Sequence, residues 1–105
     1  MERSTSSTVA SGACCGAQPD HRRAALVFKA LGHPTRTLVV AALRDGERSV
    51  QELAARAACD ISTMSAHLAV LRNAGVLESR KRGAQVFHSV ARPCVLQFLD
   101  CLEGT

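Results

Sequence analysis

SVQELAARAACDISTMSAHLAVLRNAGVLESRKRGAQVFHSV, residues Ser49 to Val90, spells a short helix, a turn, a longer helix and a basic β-hairpin. Ser49-Val50-Gln51-Glu52 has the form of a capping box, in which the Ser hydroxyl and the Glu carboxylate each satisfy a backbone N–H that a helix start leaves orphaned. Ser62 is expected to cap the second helix in the same way. Met64, Leu68 and Leu71 then recur at i, i+4 and i+7, which makes one apolar stripe and commits it to a core. Ser65, Ala66, Ala69 and Arg72 point elsewhere and are small, polar or cationic. Gly75 falls where a left-handed residue ends a helix. Two alternating segments follow, Leu77 to Arg80 and Gln85 to Val90. Between them Lys81-Arg82-Gly83-Ala84 is expected to form the cationic tip of a two-stranded wing. A helix, a turn, a helix and a basic wing in this order point toward nucleic acid.

Moving outward, the cations are better read by place than by total. From Ser65 to Arg92 there are five (Arg72, Arg80, Lys81, Arg82, Arg92) against one acid, Glu78, a balance equal to the net charge of +4 carried by all 105 residues. A positive field confined to one helix and one hairpin is what attraction to phosphates requires, although a solvated basic turn is the commoner meaning of a lone Lys-Arg pair.

The flanks supply the rest of a small mostly helical domain. Pro19-Asp20 starts a helix running to about Leu31, with Ala24, Val27, Phe28 and Leu31 as its expected buried stripe. Gly32 ends it, and Pro34 opens another at the first helical position, where a missing N–H costs nothing. Leu38, Val39, Ala42 and Leu43 carry that helix to Arg44, and Asp45-Gly46 is a turn. Pro93 marks a last helix to about Glu103, on which Val95, Phe98, Leu99 and Leu102 form an apolar face suited to a second copy of the chain. Residues 1–18 are rich in Ser, Thr, Ala and Gly without periodicity and read as a flexible arm, leaving residues 19–105 as the folded domain. Apolar residues make up 47% and aromatic ones 3%, so the core is aliphatic, and a chain this short gains from pairing. The start MERSTSSTVASG has no apolar signal region and no segment reaches membrane-spanning length, so a cytoplasmic protein without a membrane partner is expected.

Five cysteines in such a chain are unsuited to a disulfide framework. Cys14-Cys15 lie in the arm between glycines and are either incidental or a pair of soft ligands. Cys94 and Cys101 share a face of the last helix but stand about 10 Å apart along its axis, too far to hold one ion unaided. Cys101 is otherwise a small hydrophobe beside Phe98 and Leu102. Cys59, in the turn before the second helix, suits packing, with ligation the weaker alternative. No nucleophile–base pair or phosphate-cradling loop suggests an enzyme, and no organic cofactor is implied.

LGHPTR (Leu31 to Arg36), the Asp-Gly turn, SAHLAVLRNAGVL and the wing strand GAQVFHSV together resemble the ArsR/SmtB family of bacterial metal- and metalloid-responsive repressors, over roughly residues 22 to 103. The resemblance implies a winged helix–turn–helix homodimer (α-α-α-α-β-β-α) whose first and last helices form the interface. It implies a repressor that sits on double-stranded operator DNA of approximate two-fold symmetry and leaves when an inducer binds. Ser62, Thr63, Ser65, Ala66 and His67 would approach base edges, and Arg72, Arg80, Lys81, Arg82 and Gln85 would hold the backbone or enter the minor groove. One family site needs a Cys-Val-Cys where this chain has Ser49-Val50-Gln51. Another begins with an Asp and a His where it has Arg92 and Cys94. Arsenic-responsive members with adjacent arm cysteines are matched by Cys14-Cys15, but their third cysteine falls at Arg48-Ser49 here. The inducer this implies is As(III) or Sb(III), held by Cys14 and Cys15 with Cys101 or Cys94, and less favourably Cys59, since soft thiolates select soft ions. A Cd, Pb or Hg sensor, or a repressor answering to thiol oxidation or reactive sulfur, stays open on the same residues.

Overall fold

A computed structural model describes residues 21–104. Five helices and a three-stranded antiparallel sheet follow in the order α1 (His21–Leu31), α2 (Pro34–Ala42), a 3-10 turn (Leu43–Asp45), β1 (Arg48–Ser49), α3 (Val50–Ala57), α4 (Ile61–Asn73), β2 (Leu77–Arg82), β3 (Gln85–Val90) and α5 (Pro93–Glu103). This is a winged helix–turn–helix, and the sheet is ordered β1-β3-β2. No helix among the described residues is long and apolar enough to cross a membrane.

The core forms where the expected stripe of α4 meets the helices around it. Met64, Leu68 and Leu71 are fully buried with Val39 and Val40 of α2, Leu53 of α3 and Val76. The ends of these helices are closed locally, which lets short elements hold their places. His33 caps α2 by accepting the Thr35 N–H at Nδ1 (3.1 Å), with Pro34 following at the first helical position. The capping box of α3 is complete: Ser49 Oγ accepts from the Glu52 N–H, and the Ser49 N–H donates to Glu52 Oε1 at 2.9 Å. Gly75, at φ 82°, ends α4 in a Schellman turn, its N–H donating to Arg72 O and that of Val76 to Leu71 O.

Several expectations are corrected. Asp60, not Ser62, caps α4: its carboxylate accepts the Thr63 N–H at 2.8 Å, and Ser62 lies inside the first turn with its hydroxyl donating to Asp60. The wing strands pair through Arg82↔Gln85, so Lys81 and Arg82 belong to β2 and the turn is only Gly83-Ala84. Strand β1 was unforeseen; it pairs Arg48 with His88 and Ser49 with Phe87, anchoring the wing to the start of α3. The stripe of α1 is overturned in part. Ala30 is buried and Val27 and Leu31 are half-buried, whereas Ala24 and Phe28 are exposed. The face of α5 divides likewise, with Val95 and Leu99 inward and Phe98 and Leu102 outward, because one protomer has nothing beyond them to pack on. Phe28 and Phe98 meet edge to face at 5.6 Å. The arm and the Asp20 cap lie outside the described residues.

Leu68, 1% exposed, sits at the centre of this core. Leu68→Ala should lower the unfolding free energy by about 2–5 kcal/mol, the range for an unfilled buried cavity, as read by urea denaturation.

Candidate nucleic-acid interface

Burial of one side of α4 dictates what its other side presents. Ser62, Thr63, Ser65 and Ala66 are all exposed on its N-terminal half, and Arg72 is exposed in its last turn. Short side chains allow close approach of a helix to a groove floor, and hydroxyls can donate or accept at a base edge. Asp60 stands at the same end. Hydrogen bonds from Thr63, and secondarily Ser62, hold its carboxyl below the ordinary value of 3.8, so it stays ionised there. An anion at a helix N-terminus stabilises the helix and sets a local negative point beside the reading face.

His67 belongs to a different environment. It is half-buried, its ring tilted 50° against that of His33 at a centroid distance of 4.6 Å, and its Nδ1 lies 3.4 Å from Arg36 Nη1. Arg36 in turn donates from Nε to Ala30 O at 2.6 Å. The sequence LGHPTR therefore ties the ends of α1 and α2 to the middle of α4. Desolvation, then the neighbouring His33 and Arg36, push the His67 pKa down, which keeps the ring neutral. His67 orients α4 more than it reaches out from it.

The wing divides its cations between two faces. Cross-strand partners share a face, so Arg80 and Arg82 lie with Phe87 and Gln85, while Lys81 lies with Val86. Arg82 carries its guanidinium over the Phe87 ring, 5.5 Å from the centroid, and ion-pairs with Glu47 at 2.6 Å; Arg80 lies 3.6 Å from the same carboxylate. Lys81 and Gln85 are exposed. Glu47 is the residue that sequence reasoning missed. Its only signal was an acid just ahead of the capping box, with nothing to connect it to a distant strand. At the base of the wing His88 is 5% exposed, and its Nδ1 finds no hydrogen-bond partner. Burial, with Arg72 nearby, pushes its pKa down.

Among the described residues the candidate thiols are not gathered into one place. Cys59 is half-buried in the turn between α3 and α4, packed against the core; Cys94 is half-buried in the first turn of α5; Cys101 is exposed further along it. Among the described residues no three His, Cys, Asp or Glu side chains are arranged to hold a metal ion. Cys14 and Cys15 lie outside the described residues.

A small polar helix face flanked by a cationic wing, on this fold, defines a winged helix–turn–helix DNA-binding protein. Residues 31–80 match the model of a helix–turn–helix domain family. The biofilm growth-associated repressor of Agrobacterium fabrum is 35% identical over 78 residues, covering 74% of this chain and 67% of that protein. The arsenic resistance transcriptional regulator ArsR1 of Pseudomonas putida is 39% identical over 80 residues, 73% of this chain and 60% of its own length. Among solved structures, a homodimeric winged helix–turn–helix DNA-binding domain from Mycobacterium bovis, a possible ArsR-family regulator, superposes with a TM-score of 0.72 at 27% identity, over 82% of this chain and 84% of that one. The chain belongs to the ArsR family of winged helix–turn–helix transcriptional regulators, and it is a DNA-binding regulator rather than an enzyme.

Two predictions follow from these placements. Lys81→Ala should weaken binding by a similar factor on every duplex tested and reduce the log–log salt slope by about 1, as a phosphate contact does; anisotropy titrations over a salt series measure both. Second, the folded pKa values of His67 and His88 are depressed below 6.5 while the unfolded chain titrates near it. The unfolded state therefore binds more protons as pH falls. Stability is fully present above 6.5 and is lost as pH drops through the folded values. The urea midpoint should decline below pH 6.5, and less steeply in His88→Gln.

Proposed function

We propose that the chain acts as a homodimeric cytoplasmic repressor on double-stranded operator DNA of approximate two-fold symmetry. The observation that carries this reading is the pairing of an exposed Ser62-Thr63-Ser65-Ala66 face with a cationic wing on a helix–turn–helix frame. The dimer is supported by the apolar side chains left uncovered on the first and last helices, Leu26 (55% exposed), Phe28 (58%), Phe98 (41%) and Leu102 (66%). A two-fold dimer presents two copies of α4, so half-sites one helical turn of DNA apart are expected.

The inducer in this reading is As(III) or Sb(III), with other soft ions such as Cd, Pb or Hg as competitors, held by thiolates of Cys14 and Cys15 and of Cys94 or Cys101. Support comes from the chemistry of the donors: trivalent arsenic prefers sulfur to imidazole or carboxylate. It also comes from position, since both α5 cysteines lie on an element whose apolar face is uncovered. Arg92, just ahead of α5, donates from Nε to Gly75 O at the end of α4 (3.2 Å), which gives a displacement of α5 a direct route to the reading helix. A loss of operator affinity of about 10- to 100-fold needs only about 1.4 to 2.7 kcal/mol of coupling. Coupling is reciprocal, so DNA weakens inducer binding by the same factor.

Arsenite should release the wild-type protein from its operator and leave a Cys14→Ser, Cys15→Ser variant bound, in an electrophoretic mobility shift titration. Equal release of both removes the arm cysteines from the site. Release by oxidant, reversed by dithiothreitol without any metal, assigns the signal to thiol chemistry instead.

A further inference from the structure

The wing of this chain carries its own competitor for phosphate. Glu47 precedes β1 and is two residues from Ser49, whose cross-strand partner is Phe87; it therefore lies on the sheet face that holds Phe87, Arg80 and Arg82. Arg82 is the last residue of β2 before the turn, where an extended arginine would project past the tip. It is turned back instead, over the Phe87 ring at 5.5 Å, to reach Glu47 Oε2 at 2.6 Å. Glu47 Oε1 faces Arg80 at 3.6 Å. The Glu47 side chain is 20% exposed, whereas those of Arg80 and Arg82 are 70% and 58% exposed. The acid is the more buried partner and the two guanidiniums are the ones open to solvent.

We infer that Glu47 is an electrostatic latch that draws Arg80 and Arg82 away from the DNA backbone and so sets the affinity of the wing. The inference rests on the assignment of the wing to DNA. An ion pair this exposed is weak and screened by salt, so a duplex that presents a phosphate can compete for either guanidinium. The protein then binds less tightly, and with less salt dependence, than its formal wing charge implies. Lys81, on the opposite face of β2, is outside the latch.

The test uses the full chain and a duplex enriched by the wild-type protein from random-sequence DNA, with anisotropy titrations at several salt concentrations. Glu47→Gln is expected to raise affinity about 3- to 10-fold at low salt. It should also steepen the log–log salt slope by about 0.9 for each arginine delivered to a phosphate. Glu47→Asp, which keeps the charge, should stay near the wild type in slope. Arg82→Ala should cost more affinity in the Glu47→Gln background than in the wild type, while Lys81→Ala costs the same in both. A merely structural Glu47 gives the opposite pattern: Glu47→Gln loosens the wing, binding weakens, and the cost of Lys81→Ala shrinks with it. That result, or an unchanged slope, or equal costs of Arg82→Ala in both backgrounds, overturns the latch. A wild-type protein that enriches no duplex overturns the DNA reading itself and the latch with it.

Discussion

Met64, Leu68 and Leu71 commit one side of α4 to the core, and what the protein can offer to DNA is the side left over. A helix of thirteen residues from Ile61 to Asn73 has no independent stability of note; helices of that length are marginal in water and are held by the packing of one face. The stripe is wholly buried against Val39, Val40 and Leu53, so rotation of α4 about its axis would expose leucine and bury Ser65 or Arg72. The reading face is thus oriented by hydrophobic burial rather than by any polar contact it makes itself. Polar contacts then refine its position. The tilted His33–His67 ring contact and Arg36 fix the middle of the helix, Asp60 closes its start, and the turn at Gly75 closes its end.

Charge is arranged with less uniformity than a count of arginines suggests. The excess of cations between Ser65 and Arg92 is real, yet the folded chain brings Glu47 against two of them and sets Asp60 beside the first turn of α4. All four of Arg72, Arg80, Lys81 and Arg82 are exposed, but Arg80 and Arg82 are shared with an acid of the same chain. Because phosphate attraction is summed over contacts and erased by salt, such internal sharing tunes the sequence-independent part of binding. It leaves the hydroxyls of α4 untouched. In the proposed reading affinity and base preference are consequently separable on this scaffold.

What could be read from the chain follows from how local each cause is. The α4 stripe, the α3 capping box and the glycine after α4 are patterns within a few residues, and each formed where the pattern placed it. The cap of α4 was misplaced because Asp60 and Ser62 are both good caps, spaced so that either could begin a helix; the choice falls to the residue whose carboxylate reaches the Thr63 N–H. The wing's turn was drawn too wide because Lys81 and Arg82 have no apolar alternation to show that they pair. Strand β1 is two residues long and owes its existence to β3, so no local period could reveal it. Ala58 adopts φ 56° at the end of α3 without a glycine or asparagine to announce it. The Glu47 contacts and the His33–His67 ring contact join residues far apart along the chain, and single-residue patterns carry no record of such partners.

The first and last helices, proposed to carry the dimer contact and the inducer, meet α4 at one narrow place. Arg92 donates to Gly75 O, and a Cβ on Gly75 would lie 3.6 Å from Arg92 Nε and 3.7 Å from an Arg23 guanidinium nitrogen. Residues from α1 and from the entry to α5 therefore converge on the C-terminal end of α4, where the helix dipole favours positive charge. Gly75 needs its left-handed φ for the turn, while the space beside it would take a Cβ at ordinary contact distance from both guanidiniums. The Arg44–Asp100 ion pair, at 2.7 Å, joins the second half of α5 to the turn after α2, so α5 is held at two points with Phe98 of its outer face between them. A helix tied at two points passes a change of its outer packing to whatever it is tied to. One of those ties is the end of α4, and in the proposed reading a shift there alters the angle at which Ser62, Thr63 and Ser65 meet a groove.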